Sequence, residues 1–155
     1  YEVFINGLYA VMMNLARETA RDGEGATKLM ECVVDHAPTE AVAKSVALSV
    51  INSSLLKAAV FAADANWGRI LCAIGYADGE FDISKVSVVL SSCKGSVKVC
   101  GNGAGVDFSE DEAFKILSED EIVIAIDMHD GADKAVAWGC DLTYEYVKIN
   151  AEYRS

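Results

Sequence analysis

Among the residues able to do chemistry, one short stretch stands apart: Asp22–Lys28, DGEGATK. One carboxylate, Glu24, sits between Gly23 and Gly25, and Thr27 and Lys28 follow. Small neighbours let Glu24 come close to an ammonium group. A carboxylate at hydrogen-bond range would keep such an amine oriented or charged. The plainer reading is a glycine-assisted helix stop, since glycine is common just past a helix end. The stretch is not a phosphate loop. It lacks the third glycine of a dinucleotide fingerprint and any Gly-Lys-Ser/Thr ending.

Other polar groups carry weaker signals. Asp64-Ala65-Asn66-Trp67-Gly68-Arg69 reads as a capped helix start with a Trp anchor and a solvated Arg. Lys57 lies in an apolar run, where a stem snorkelling to solvent is the expected role. The last residues, Asp141–Ser155, hold three tyrosines and are too apolar to hang free, so they should dock on other elements. With two histidines and no nucleophile elbow, no Ser-His-Asp set can be argued. The five cysteines are odd in number and widely spaced, without a CxxC. They favour buried free thiols in a reducing cytoplasm over a zinc site, with a Cys93–Cys100 disulfide as the minority reading.

Charge narrows the partners. Thirteen Lys and Arg stand against 24 Asp and Glu, a net charge of −11. Nucleic-acid binding needs clustered cations and is not expected. Apolar residues make up 52% of 155, enough for one core. The apolar Ala41–Ala63 stretch is interrupted by Lys44, Asn52 and Lys57, so no membrane span is expected. Tyr1–Gly7 has no basic n-region, so no signal peptide is expected and a cytoplasmic location is.

These residues must be positioned by an α+β pattern. Phe4, Leu8, Val11, Met12 and Leu15 predict a helix ending near Asp22-Gly23. Lys28–His36 predicts a strand with Met30, Cys32, Val34 and His36 on one face. Pro38 and Thr39 open a helix running to about Asn52. Leu55–Ala62 is read as a strand or a buried turn. Asp64 or Asn66 caps a helix from Trp67 to Gly75 or Gly79. Val86–Leu90 and Val97–Cys100 read as strands, and Gly101-Asn102-Gly103 as a turn leading to Val106–Phe108. Ser109–Glu112 matches a capping box before a short helix over Ala113–Leu117. Ile122–Met128 and Lys134–Cys140 are strands, and Asp141 should cap the last helix. One helix and one strand cannot bury both apolar faces alone, so residues 1–37 read as part of something larger. Residues 38–155 read as a small α+β domain.

Three segments together resemble one family. LARETARDGEGATK (Leu15–Lys28), SSLLKAAVFAADANWGRIL (Ser53–Leu71) and CDLTYEYVKINAEYRS (Cys140–Ser155) are similar in order and spacing to the β chain of ornithine acetyltransferase. This is the bifunctional glutamate N-acetyltransferase of arginine biosynthesis. Asp82–Asp133 contributes little to the likeness. The resemblance implies that residues 1–37 belong to a layered α/β/β/α self-processing fold of the DmpA and ornithine acetyltransferase type. It also implies a precursor that cleaves itself, giving a β chain headed by a threonine nucleophile. That threonine takes acetyl from N-acetylornithine and passes it to glutamate.

The chain begins at Tyr1, so the likeness is to the C-terminal portion of the β chain. The threonine is expected upstream, no catalytic residue is expected within this chain, and the segment alone is expected to be inactive. By matched position, Glu24, Asn150 and Ser155 carry the family's substrate-binding roles. Ser155 departs from the common terminal threonine but keeps a hydroxyl. Ala58 and Ala65 depart where threonine and proline are common. The implied partners are the α chain, the rest of the β chain and the substrates N-acetylornithine and glutamate, in an α2β2 heterotetramer. No cofactor is implied, and acetyl-CoA stays open as a co-substrate. An amidase-type or aminopeptidase-type hydrolase of the same superfamily is the alternative activity.

Overall fold

The computed structural model describes residues 1–153. The chain opens with α1 (Glu2–Arg21). Strand β1 (Leu29–Ala37) follows, then α2 (Glu40–Asn52), α3 (Ser54–Phe61) and α4 (Trp67–Gly75). A 3-10 turn (Ile83–Lys85) leads into β2 (Ser87–Ser92), β3 (Gly95–Gly101) and the two-residue β4 (Ala104–Gly105). Helix α5 (Glu110–Leu117), β5 (Glu121–Asp127), β6 (Asp133–Cys140) and α6 (Tyr144–Glu152) complete it. The fold is α+β, with one six-stranded sheet in the order β4-β3-β2-β5-β1-β6.

Helix starts follow their caps. Thr39, Ser53, Asn66 and Ser109 each accept a hydrogen bond from the third backbone N–H beyond them. The Leu55–Ala62 run, expected as a strand or buried turn, is the helix α3. Ser53 caps it, and Leu56, Ala59 and Val60 turn one face to the core. The cap expected from Asp141 comes instead from Thr143, whose hydroxyl accepts from Tyr146 N–H.

The core lies on one sheet face, under α2 to α5. Met30, Cys32 and Val34 of β1, Ile122, Ile124 and Ile126 of β5, and Val88 and Leu90 of β2 point into it. The alternate residues Val33, Val123, Ala125 and Val89 are half-buried on the opposite face. Helix α1 reaches that side, where Arg17 and Arg21 pair with Glu121. Its apolar stripe is uncovered among the described residues: Phe4 is 69% exposed and Leu15 60%.

Strand β1 is central rather than marginal. It pairs in parallel with β5 and antiparallel with β6. The division expected after residue 37 does not coincide with a break in the sheet; α1 and α6, at the two ends of the chain, are the helices with no buried residue. His36 leaves the face it was expected to share with Met30, Cys32 and Val34. Its φ is +53° and the register shifts between Val34 and Ala37, which turns the side chain outward. The cysteines are all free, with Cys32 and Cys100 buried and Cys72 and Cys93 exposed.

Candidate functional site

Helix α1 ends at Arg21, and the glycines then turn the chain toward β1, so the helix-stop reading of DGEGATK stands. The same loop is also gripped by the connector between β6 and α6. Gly23 lies against Cys140: a Cβ there would sit 2.5 Å from its Sγ. The Gly25 carbonyl accepts a 2.6 Å bond from the Thr143 hydroxyl. Gly25 itself has φ +68°, and a Cβ would come within 2.9 Å of the Tyr146 nitrogen. Only glycine fits both demands.

Asp141 finishes the grip. It is 3% exposed. Its Oδ1 accepts from the backbone N–H of Thr27 at 2.8 Å and of Lys28 at 3.0 Å. Its Oδ2 accepts from the Thr27 hydroxyl at 2.5 Å. Lys28 then runs inward, and its Nζ donates to the carbonyls of Val60 at 2.8 Å and Leu117 at 2.6 Å. Both carbonyls lie in the last turns of helices, α3 and α5, where a cation is favoured. Burial pushes the Lys28 amine below the usual lysine range, and the Asp141 charge opposes that shift.

Glu24 is thereby held at the surface beside α6. Its Oε2 accepts a 2.7 Å hydrogen bond from Asn150 Nδ2, which also donates to the Tyr146 carbonyl. The structure thus brings together two of the three residues expected at the site. The third, Ser155, lies outside the described residues. Glu24 lines a pocket of about 400 Å³ with Gly23, Ser54, Lys57, Cys140 and Tyr146 among its walls. Lys57, expected to snorkel to solvent, faces this pocket. Helix α6 is exposed along its length and docks through its first turn, where Tyr144 meets Phe61 edge-on at 5.4 Å.

The other candidates resolve as packing. Asn66 caps α4 and bonds Asp64, while Arg69 Nη1 donates to the Leu55 carbonyl at 2.8 Å. Trp67 lays its indole on Gly105. One grouping was not legible in the sequence. His129 approaches Asp127 Oδ1 at 3.2 Å through Nδ1 and Ser87 Oγ at 3.3 Å through Nε2. It resembles a Ser-His-Asp set, but Asp127 Oδ1 also takes the His129 backbone N–H and His36 Nδ1. Both rings are at least half exposed, so the grouping holds the β5–β6 turn in place rather than building a shielded site. Among the described residues no cluster of His, Cys, Asp and Glu could hold a metal, and no single helix is long and apolar enough to cross a membrane.

The fold is shared with a solved protein. The crystal structure of the arginine biosynthesis bifunctional protein ArgJ from Bacillus halodurans matches with a TM-score of 0.92 and 41% identity. The match covers 98% of this chain and 70% of that one. The ArgJ family model matches residues 1–155, and the chain belongs to the ArgJ family. The arginine biosynthesis bifunctional proteins ArgJ of Caldanaerobacter subterraneus and ArgJ 1 of Clostridium acetobutylicum are each 50% identical to it over 155 residues. The chain spans 38% of the length of each of these two relatives.

Proposed function

We propose that this chain is part of an acetyltransferase that moves acetyl from N2-acetylornithine to glutamate, giving ornithine and N-acetylglutamate. The observation that carries the reading is the hydrogen bond between Glu24 and Asn150, the two positions matched to substrate binding, with Glu24 lining a pocket. The relatives' names, bifunctional proteins of arginine biosynthesis, support it.

The nucleophile is a threonine contributed from outside residues 1–155. Its Oγ forms a bond to the acetyl carbon, the amide C–N bond breaks, and the ornithine amine leaves with the proton. The glutamate amine then attacks the acetyl-threonine ester, the Oγ–C bond breaks, and the proton lost by that amine returns to Oγ, restoring the threonine hydroxyl. Both substrates carry an α-carboxylate and both, at some stage, a free amine. In this reading Glu24 holds an ammonium group of the substrate or the α-amine of the threonine, and Asn150 and Ser155 supply the other substrate-binding groups the family likeness implies. The partners are the α chain and the rest of the β chain in an α2β2 assembly formed by self-cleavage in the cytoplasm. Acetyl-CoA is a further acetyl donor to be tested.

The test uses the full-length precursor with N-acetylornithine, with and without glutamate. Ornithine release that depends on glutamate is expected. Release that does not depend on glutamate overturns transfer in favour of hydrolysis. A self-cleaved protein without turnover overturns both.

A further inference from the structure

We propose that Asp141, buried in the wall of the same pocket, is the positioning residue that sets Glu24, acting through the loop it holds. The proposal rests on the reading of Glu24 as a substrate-binding acid.

Three anchors from the short stretch 140–143 bracket Glu24: Cys140 against Gly23, Asp141 on Thr27 and Lys28, and Thr143 on Gly25. Asp141 and Thr143 are the buried polar side chains of the described residues. A buried carboxylate is costly unless its oxygens are hydrogen-bonded, and here both are. All three donors belong to residues 27 and 28, none to a core helix. Asp141 therefore spends its charge on the acid loop. The backbone joins it to the strand below as well, because Asp141 N–H donates to the Lys28 carbonyl at 3.1 Å. A neutral amide in its place keeps the shape but loses an acceptor, and the loop slackens on the Glu24 side. A misplacement of about 1 Å in such a group costs on the order of 100-fold in rate.

The experiment compares Asp141→Asn in the full-length protein, alone and combined with Glu24→Gln. If Asp141 acts through Glu24, Asp141→Asn lowers kcat/KM by on the order of 10- to 100-fold on the Glu24 background. On the Glu24→Gln background its effect shrinks to about twofold or less, because the group it positions has already lost its charge. The urea midpoint should drop equally on both backgrounds. Equal fold-losses in kcat/KM on the two backgrounds overturn the proposal, since that is what a merely structural role gives. Should Asp141→Asn fail to fold, Thr27→Val carries the same comparison, because it removes one of the three bonds from an exposed residue.

Hydrogen exchange gives a readout independent of activity. Asp141→Ala, which removes the Oδ1 that both amides share, should unprotect the amides of Thr27 and Lys28 while leaving those of β5 unchanged. Unchanged protection at those two amides overturns the proposal. A wild-type protein without acetyl transfer would instead overturn the proposed function, and the exchange result would still decide the clasp.

Discussion

Asn150 Nδ2 reaches Glu24 Oε2 at 2.7 Å across 126 residues of sequence. The contact closes the acid loop onto the last helix, and both partners stand in solvent. Their worth to stability is therefore small, and their effect should appear in binding. Asn150→Ala is expected to raise KM for N-acetylornithine by roughly 10-fold, about the cost of one charge-assisted bond. The melting temperature should stay within a degree or two of wild type. A large loss of stability with unchanged KM would make the pair a structural clamp instead.

Gly25 takes a left-handed backbone angle with the Tyr146 nitrogen in the space of its absent Cβ. Gly25→Ala should cost at least about 1–2 kcal/mol from the backbone angle alone. The loss should appear as a lower melting temperature and faster proteolysis of the Tyr144–Glu152 helix. Equal stability would show that the loop shifts freely and does not depend on the contact.

Lys28 gives a pH dependence with a definite sign. An unfolded chain titrates this amine near 10.5, while burial lowers its folded value. Between the two values the unfolded state holds more protons, so stability rises with pH across that window. Lys28→Met leaves the Val60 and Leu117 carbonyls without their partner, at a cost of about 1–3 kcal/mol near neutral pH. Wild type should then gain further on the variant as pH rises toward 10.5, read by urea unfolding at pH 7 and pH 10. A gap that narrows over that range would contradict the assigned burial.

Much of this fold was legible because its signals are local. The end of α1 follows from Gly23, and the start of α2 from Thr39. Ser109 announces α5, and the alternation of Ile122, Ile124 and Ile126 announces β5. Where a run is apolar all round, as in Ser54–Phe61, periodicity cannot separate helix from strand, and α3 was missed. Asp141 and Thr143 are both good N-cap residues two positions apart. Only the approach of Thr27, 114 residues away, decides that Asp141 bonds the loop and Thr143 caps the helix. The central place of β1 depends on strand order, which no local pattern records. At the site, family likeness indicated Glu24 and Asn150 separately. Their hydrogen bond, and the clasp that makes it, come from tertiary packing.

The thiols offer a check on the core. Burial pushes the Cys32 and Cys100 thiols up, and hydrogen bonding to Glu119 does the same for the exposed Cys93. A thiolate reacts and a thiol does not. Mass spectrometry after alkylation at pH 8 should find Cys32 and Cys100 unmodified in the native protein and modified in denaturant. Labelling of Cys32 in the native protein would contradict the packing of β1 between β5 and β6.

The account stands most directly on the charge of Glu24. Glu24→Gln keeps an oxygen for Asn150 and removes only the charge, so it should fold as wild type does. Steady-state kinetics of the full-length protein with N-acetylornithine and glutamate make the measurement. The account predicts a fall in kcat/KM on the order of 100-fold, as for losing a charged contact at the reacting amine. Unchanged kinetics in a folded Glu24→Gln protein would contradict it and remove Glu24 from the site.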